Sequence, residues 1–145
     1  MNLLSALSVS ASGMSAQRVR AELLVENIAN AETTRTSEGG PYRRKDVVFQ
    51  SEAVQTPFAG VLSDQMNSPS VGVTVSDIIV DQSEPEKRYL PGHPDAGPDG
   101  YVAFPKLNPA EEMVDLMGSS RSYQANVAAM TSVKEMLQRS IDLLK

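Results

Sequence analysis

The sequence predicts a mainly α fold with a small β insertion, in which long N- and C-terminal helices pack antiparallel as a coiled coil around a short, β-hairpin-rich middle segment. Three observations carry that expectation. Apolar residues recur every seven positions near both ends, which is the spacing of a helical seam. The middle gathers most of the prolines and glycines between short β-type runs. Finally, aromatic residues make up 5% of the 145 residues and Trp is absent, a thin supply for a dense globular core. The expected division is 1–32 with 107–145 as a terminal helical unit, and 33–106 as an extended loop plus a small hairpin insertion.

The N-terminal helix is read from Leu7, Met14, Ala21 and Ile28, which share one line. Leu4, Ala11, Arg18 and Val25 flank that line on one side, with Leu3, Ser10, Gln17 and Leu24 on the other. One shared line with two flanking seams predicts a helix that touches more than one neighbour. It is weak alone, because Gly13 costs about 1 kcal/mol against Ala and the serines offer their own backbone alternatives.

A second helix is expected from Asn108. Asn108 suits the N-cap, Pro109 the first helical position and Glu111 the capping-box acid, while Glu112 and Asp115 favour the positive end of the helix dipole. Leu116, Tyr123, Met130, Leu137 and Leu144 repeat every seven residues, interleaved with Met113, Ser120, Val127, Lys134 and Ile141. That pairing of lines is the predicted seam.

Between the helices, "DVVFQ" at 46–50, "VGVTVSDIIV" at 71–80, "KRYL" at 87–90 and "YVAF" at 101–104 read as short strands. The alternation of Val71, Val73 and Val75 predicts a half-buried strand. "PGHPDAGPDG" reads as a stiff turn.

Composition removes several function classes. With no cysteine there is no disulfide, thiolate metal site or cysteine nucleophile, and the net charge of −5 leaves no overall footprint for nucleic acid. His93 is the only histidine and sits in the turn-rich stretch without the partners that a catalytic base or a zinc site needs. Asp95 to Gly100 lacks the alternating oxygen ligands of a calcium loop. No catalytic, cofactor or metal site is therefore expected, and the chain reads as no enzyme. "YRRKD" at 42–46 is the one tight basic cluster, and Arg43, Arg44 and Lys45 are candidates for a partner contact. The uncharged stretch 1–17 contains five serines and no basic opening, so a cleaved signal peptide is not expected.

The terminal segments also carry a resemblance. "SALSVSASGMSAQRVRAELLVENIANAETT" resembles the N-terminal signature of bacterial flagellar axial proteins, in which a helix runs into an Asn-Ile-Ala-Asn motif, here Asn27 to Asn30. "EEMVDLMGSSRSYQANVAAMTSVKEMLQRSI" resembles their C-terminal helix, most clearly at Arg121 to Asn126. "GPYRRKDVVFQ" and "YLPGHPDAGPDGYVAFPKLN" are similar to the proximal rod members of the flagellar rod and hook family. Ala31 to Thr34 lacks the Thr-Pro-Gly-Tyr run of distal rod and hook proteins, which also points to the proximal type.

The resemblance implies a structural subunit of the basal-body rod that self-assembles with other proximal and distal rod proteins into the drive shaft and export channel, for flagellum-dependent motility. It implies contacts with the membrane ring, the protein at the junction of ring and rod, and the type III export apparatus. No small-molecule substrate, cofactor or nucleic acid is implied. The location implied is the periplasmic rod of the basal body, reached from the cytoplasm without signal cleavage. The expected subunit interface comprises Leu7, Met14, Ala21 and Ile28, then Asn27 and Asn30 at the exit of the first helix. On the second helix it comprises Leu116, Tyr123, Met130, Leu137 and Leu144. The competing reading is a coiled-coil adaptor or secreted regulator that binds a helical partner without polymerising. Cells carrying His93→Ala are expected to swim like wild type on soft agar, and lost motility would give that histidine a role this reading denies it.

Overall fold

The computed structural model describes residues 3–53 and 71–143. Helix α1 (Leu3–Ala29) leads into a two-stranded antiparallel hairpin of β1 (Lys45–Ala53) and β2 (Val71–Val80). A second antiparallel hairpin, β3 (Glu86–Tyr89) with β4 (Tyr101–Phe104), precedes helix α2 (Pro109–Asp142). Among the described residues the architecture is thus two long helices with two small strand pairs.

Start signals for α2 act as the sequence predicts. The Asn108 side chain accepts from the Ala110 N–H at 3.1 Å and donates to Glu111 Oε1 at 3.1 Å, so the cap and the first-turn acid are tied together. At 34 residues, α2 is about 51 Å long, against about 40 Å for the 27-residue α1.

The two helices run antiparallel. Gly13 lies against Asn126, Gln17 against Ser119, Arg20 near Asp115 and Asn27 against Glu112, so rising numbers on one helix meet falling numbers on the other. The inward line of α2 is Glu112, Ser119, Asn126 and Val133, with Leu116, Met130 and Leu137 half-buried beside it. This corrects the predicted partner line. Met113, Ser120, Val127, Lys134 and Ile141 are exposed, one residue round the helix from the line that faces α1. Hydropathy chose the phase wrongly because the facing positions hold a carboxylate, a hydroxyl and an amide. Tyr123, on the other predicted line, is 41% exposed. Leu144 and the Leu4 side chain lie outside the described residues.

Helix α1 does have several neighbours. It packs against α2 and against both strands of the first hairpin, and Ala16, Leu23 and Leu24 are buried on it. Of its two predicted flanking seams, Ser10, Gln17 and Leu24 turn inward, whereas Ala11, Arg18 and Val25 face outward. The hairpin meets α1 through hydrogen-bonding groups. The Val73 N–H donates to Ser12 Oγ at 3.1 Å, and the Lys45 N–H donates to Asn27 Oδ1 at 3.0 Å. Side chains of α1 thereby cover backbone groups that a two-stranded ribbon leaves unpaired.

That arrangement also corrects part of the half-buried face expected of Val71, Val73 and Val75, of which Val75 is half-buried. Val71 and Val73 are exposed and Gly72 is buried. Val48 pairs with Asp77 but Phe49 with Val75, so Ser76 is an extra residue at a bulge and shifts the alternation of faces by one. Its hydroxyl donates to the Val48 carbonyl at 3.2 Å. The second hairpin buries Val102 and Phe104, with Tyr89 and Tyr101 in an edge contact at 5.3 Å.

The helix pair approaches closely at Gly13, where an added Cβ would sit 3.0 Å from Asn126 Nδ2. Thermal unfolding should place Gly13→Ala within about 1 kcal/mol of wild type, because helix propensity offsets the displacement of one flexible amide. Gly13→Leu should lose about 1–3 kcal/mol by overpacking.

Candidate functional site

The exit of α1 is built by its amides. Asn30 Nδ2 donates to the Glu26 carbonyl at 2.9 Å, the carbonyl that its own backbone N–H also reaches at 3.1 Å. Thr33 Oγ1 in turn donates to Asn30 Oδ1 at 3.1 Å. The helix therefore ends without a glycine, the Glu26 carbonyl accepting from both the backbone and the side chain of Asn30.

The chain then loops out and returns. Tyr42 N–H donates to the Thr33 carbonyl at 3.0 Å, and Thr36 N–H to the Gly40 carbonyl at 2.8 Å. Gly39 and Gly40 make that reversal at φ of 86° and 82°, values that side chains with a Cβ rarely adopt. The loop delivers Tyr42, Arg44 and Lys45 to the end of α1.

There Asn27, fully buried at 0% exposure, uses its whole hydrogen-bonding capacity. Its Nδ2 donates to the Lys45 carbonyl and to Glu112 Oε2, both at 2.9 Å. Its Oδ1 accepts from the Tyr42 hydroxyl at 2.9 Å and from the Lys45 N–H at 3.0 Å. One amide thus joins α1, the return loop, the start of β1 and the first turn of α2. Glu112, 3% exposed, also accepts from Arg44 Nε at 2.5 Å, and Arg44 reaches Asp46 at 3.2 Å. Burial, with the carboxylates of Glu26 and Glu112 nearby, pushes the Tyr42 phenol up to about 12.

Within the basic cluster Arg44 and Lys45 are half-buried against their own chain, and Arg43 is exposed. Arg44 pairs with Glu112 and Asp46, Lys45 with Glu26, and Arg43 Nη1 donates to Gln82 Oε1 at 2.7 Å. His93 Nδ1 accepts from the Asp95 N–H at 3.1 Å, and its ring lies edge-on to Phe104 at 6.3 Å. Asp95 accepts from Thr34 Oγ1 at 2.7 Å, joining the two loops. Among the described residues no group of His, Asp or Glu is placed to hold a metal ion, and no helix is long and apolar enough to cross a membrane.

Of the expected interface residues, Leu7, Met14, Ala21, Ile28 and Asn30 are half-buried within the chain, as are Leu116, Met130 and Leu137. Asn27 is sealed inside the single chain. Among the apolar side chains left exposed are Met113, Met117, Val127 and Ile141 on one side of α2, with Tyr123 beside them and Met136 on the other flank of the inward line. Sequence reasoning missed Glu112, Tyr42 and Arg44 as one unit. The available signal was that Glu112 shares a seven-residue line with Ser119, Asn126 and Val133.

Residues 99–143 match a family described as flagellar basal body rod FlgEFG protein C-terminal. Along its full length the chain is 43% identical to the flagellar basal-body rod protein FlgC of Bacillus subtilis, covering 100% of that protein. It is 38% identical to the protein of the same name from Borreliella burgdorferi, covering 100% of this chain and 99% of the relative. For the namesake from Escherichia coli O157:H7 the identity is 37%, covering 99% and 98% respectively.

A raised phenol ties Tyr42 to alkaline stability. The folded state holds the proton more tightly than the unfolded chain, whose phenol titrates near 10.0, so this contribution is complete below about pH 10 and is lost as pH rises toward 12. Denaturant titrations across that window should show wild type losing stability more steeply than Tyr42→Phe, the gap between them shrinking as pH rises. Parallel curves would contradict the assignment.

Proposed function

The chain belongs to the family of flagellar basal-body rod proteins FlgC and is a structural subunit of the basal-body rod, and from that premise we propose that it forms the proximal part of the rod's drive shaft. The single observation that supports polymerisation is the open face of α2. A helix of about 51 Å carries Met113, Met117, Val127 and Ile141 exposed on a side that its own chain leaves uncovered, with Ser120 and Lys134 between them. Large apolar side chains left exposed along one side of a helix favour a protein interface. Methionines suit it, because their unbranched side chains adapt to neighbours that differ slightly from copy to copy.

In this reading the terminal helices, 1–32 and 107–145, form the wall of a tube around the export channel, and 33–106 reaches neighbouring rod subunits and the membrane ring with its junction protein. The half-buried residues Leu116, Met130 and Leu137 border the contact, with Leu7, Met14, Ala21 and Ile28 opposite them. Export from the cytoplasm through the type III apparatus, without cleavage, places the subunit in the periplasm. Torque is then carried by close-packed helices, whose low compressibility supplies stiffness without any chemistry. No catalytic residue takes part.

Met117→Asp tests the stripe. The residue is exposed in the single chain, so the variant should keep wild-type helical content and melting temperature, yet cells carrying it should lack complete rods and fail to swim. Normal swimming with intact basal bodies would contradict burial of the stripe.

A further inference from the structure

The register of the helix pair poses a problem that its apolar residues do not solve. Helix α2 has 34 residues and α1 has 27, so α2 is longer by seven, one heptad. Sliding α1 by one heptad toward the C-terminal end of α2 would still leave it paired along its whole length. Along α2 the residues beside the contact line are Leu116, Tyr123, Met130 and Leu137, which such a slide would exchange among themselves. Facing them, α1 presents Gly13, Gln17, Arg20 and Leu24, mostly small or polar residues that discriminate little. Arg20 and Asp115, 3.8 Å apart and 33% and 45% exposed, add a weak preference. The Ser119 hydroxyl donates to the Gln17 carbonyl at 2.9 Å, but every residue of α1 offers a carbonyl.

We infer that the buried Asn27–Glu112–Arg44 cluster is what selects the register of α1 against α2, acting as a set of positioning residues and not as a source of net stability. In the slid arrangement Asn27, carrying Lys45 and Arg44 with it, would meet Ser119, and the Arg44–Glu112 pair would be separated. A buried ion pair is on balance no more stabilising than apolar side chains of similar volume, whereas separating its partners is costly. Such a cluster therefore weakens wrong pairings more than it strengthens the right one. Because the same amide also binds both backbone groups of Lys45, the selected register carries the first hairpin with it.

The cysteine-free chain allows a direct test by paired cysteines. Gln17→Cys with Ser119→Cys reports the observed register. Gln17→Cys with Asn126→Cys reports the slid one, because residue 126 lies about 10.5 Å further along α2, beyond disulfide reach in the observed pairing. Both pairs are introduced into the full-length chain in three backgrounds: wild type, Glu112→Gln, and Arg44→Leu combined with Glu112→Leu. Oxidation should close only the 17–119 bridge in wild type and in Glu112→Gln, whose one side-chain oxygen still accepts from Asn27. In the double leucine background the 17–126 bridge should rise about tenfold or more while the melting temperature stays equal or increases. Exclusive 17–119 closure in a folded double variant would overturn the inference. So would an unfolded double variant, which would make the cluster a requirement for folding and not for register, and so would 17–126 closure in Glu112→Gln.

Discussion

A buried primary amide with every donor and acceptor occupied is the constraint on which this structure depends. Asn27 sits where α1 stops, and four groups from three other segments converge on it. No residue of another type serves there. Aspartate would lose both donors and place a second carboxylate beside Glu112, while leucine would strand the N–H and C=O of Lys45 in the interior. Once Asn27 is satisfied, much else follows. Its bonds to Lys45 fix the first residue of β1, and its bond to Glu112 fixes the first turn of α2 against the last turns of α1.

The rest of the helix pair is held by far less. Past Ser119, Val133 is the buried residue of α2 among those described, and the facing stretch of α1 is rich in serine, alanine and glycine. Hydrophobic burial of roughly 25 cal/mol per Å² is thus concentrated near the junction and at Val102 and Phe104 of the second hairpin, while the first hairpin and much of α2 keep apolar side chains exposed. For a rod subunit this division is physically sensible. A polar junction gives one defined shape to each copy, and an apolar, methionine-rich face lets many copies pack. The basic residues at 43–45, which look in the sequence like an offer to a partner, are instead bound to Glu26, Gln82, Asp46 and Glu112 of the same chain.

Much of this was legible in the sequence, and the failures have physical causes. Asn108, Pro109 and Glu111 announce the start of α2 by local capping chemistry, which needs no tertiary context. The second hairpin was equally plain, because "PGHPDAGPDG" separates two short β-type runs. The helical phase of α2 was misread because the inward line, Glu112, Ser119, Asn126 and Val133, is more polar than the outward one. A subunit that buries its apolar stripe only in an assembly inverts the usual signal. Glu112 looked like dipole chemistry because its donors come from Arg44, 68 residues away, and Asn27, 85 residues away.

One measurement bears most directly on the claim that a polar junction shapes the single subunit while the outer face of α2 joins subunits together. It is a density map of the assembled basal body at a resolution that shows side chains. The account predicts Asn27, Glu112 and Arg44 bonded within each copy as here, with Met117 and Val127 covered by α-helices of adjacent rod subunits. Density in which that stripe faces solvent or the open channel, or in which Asn27 contacts a neighbouring copy, would contradict it.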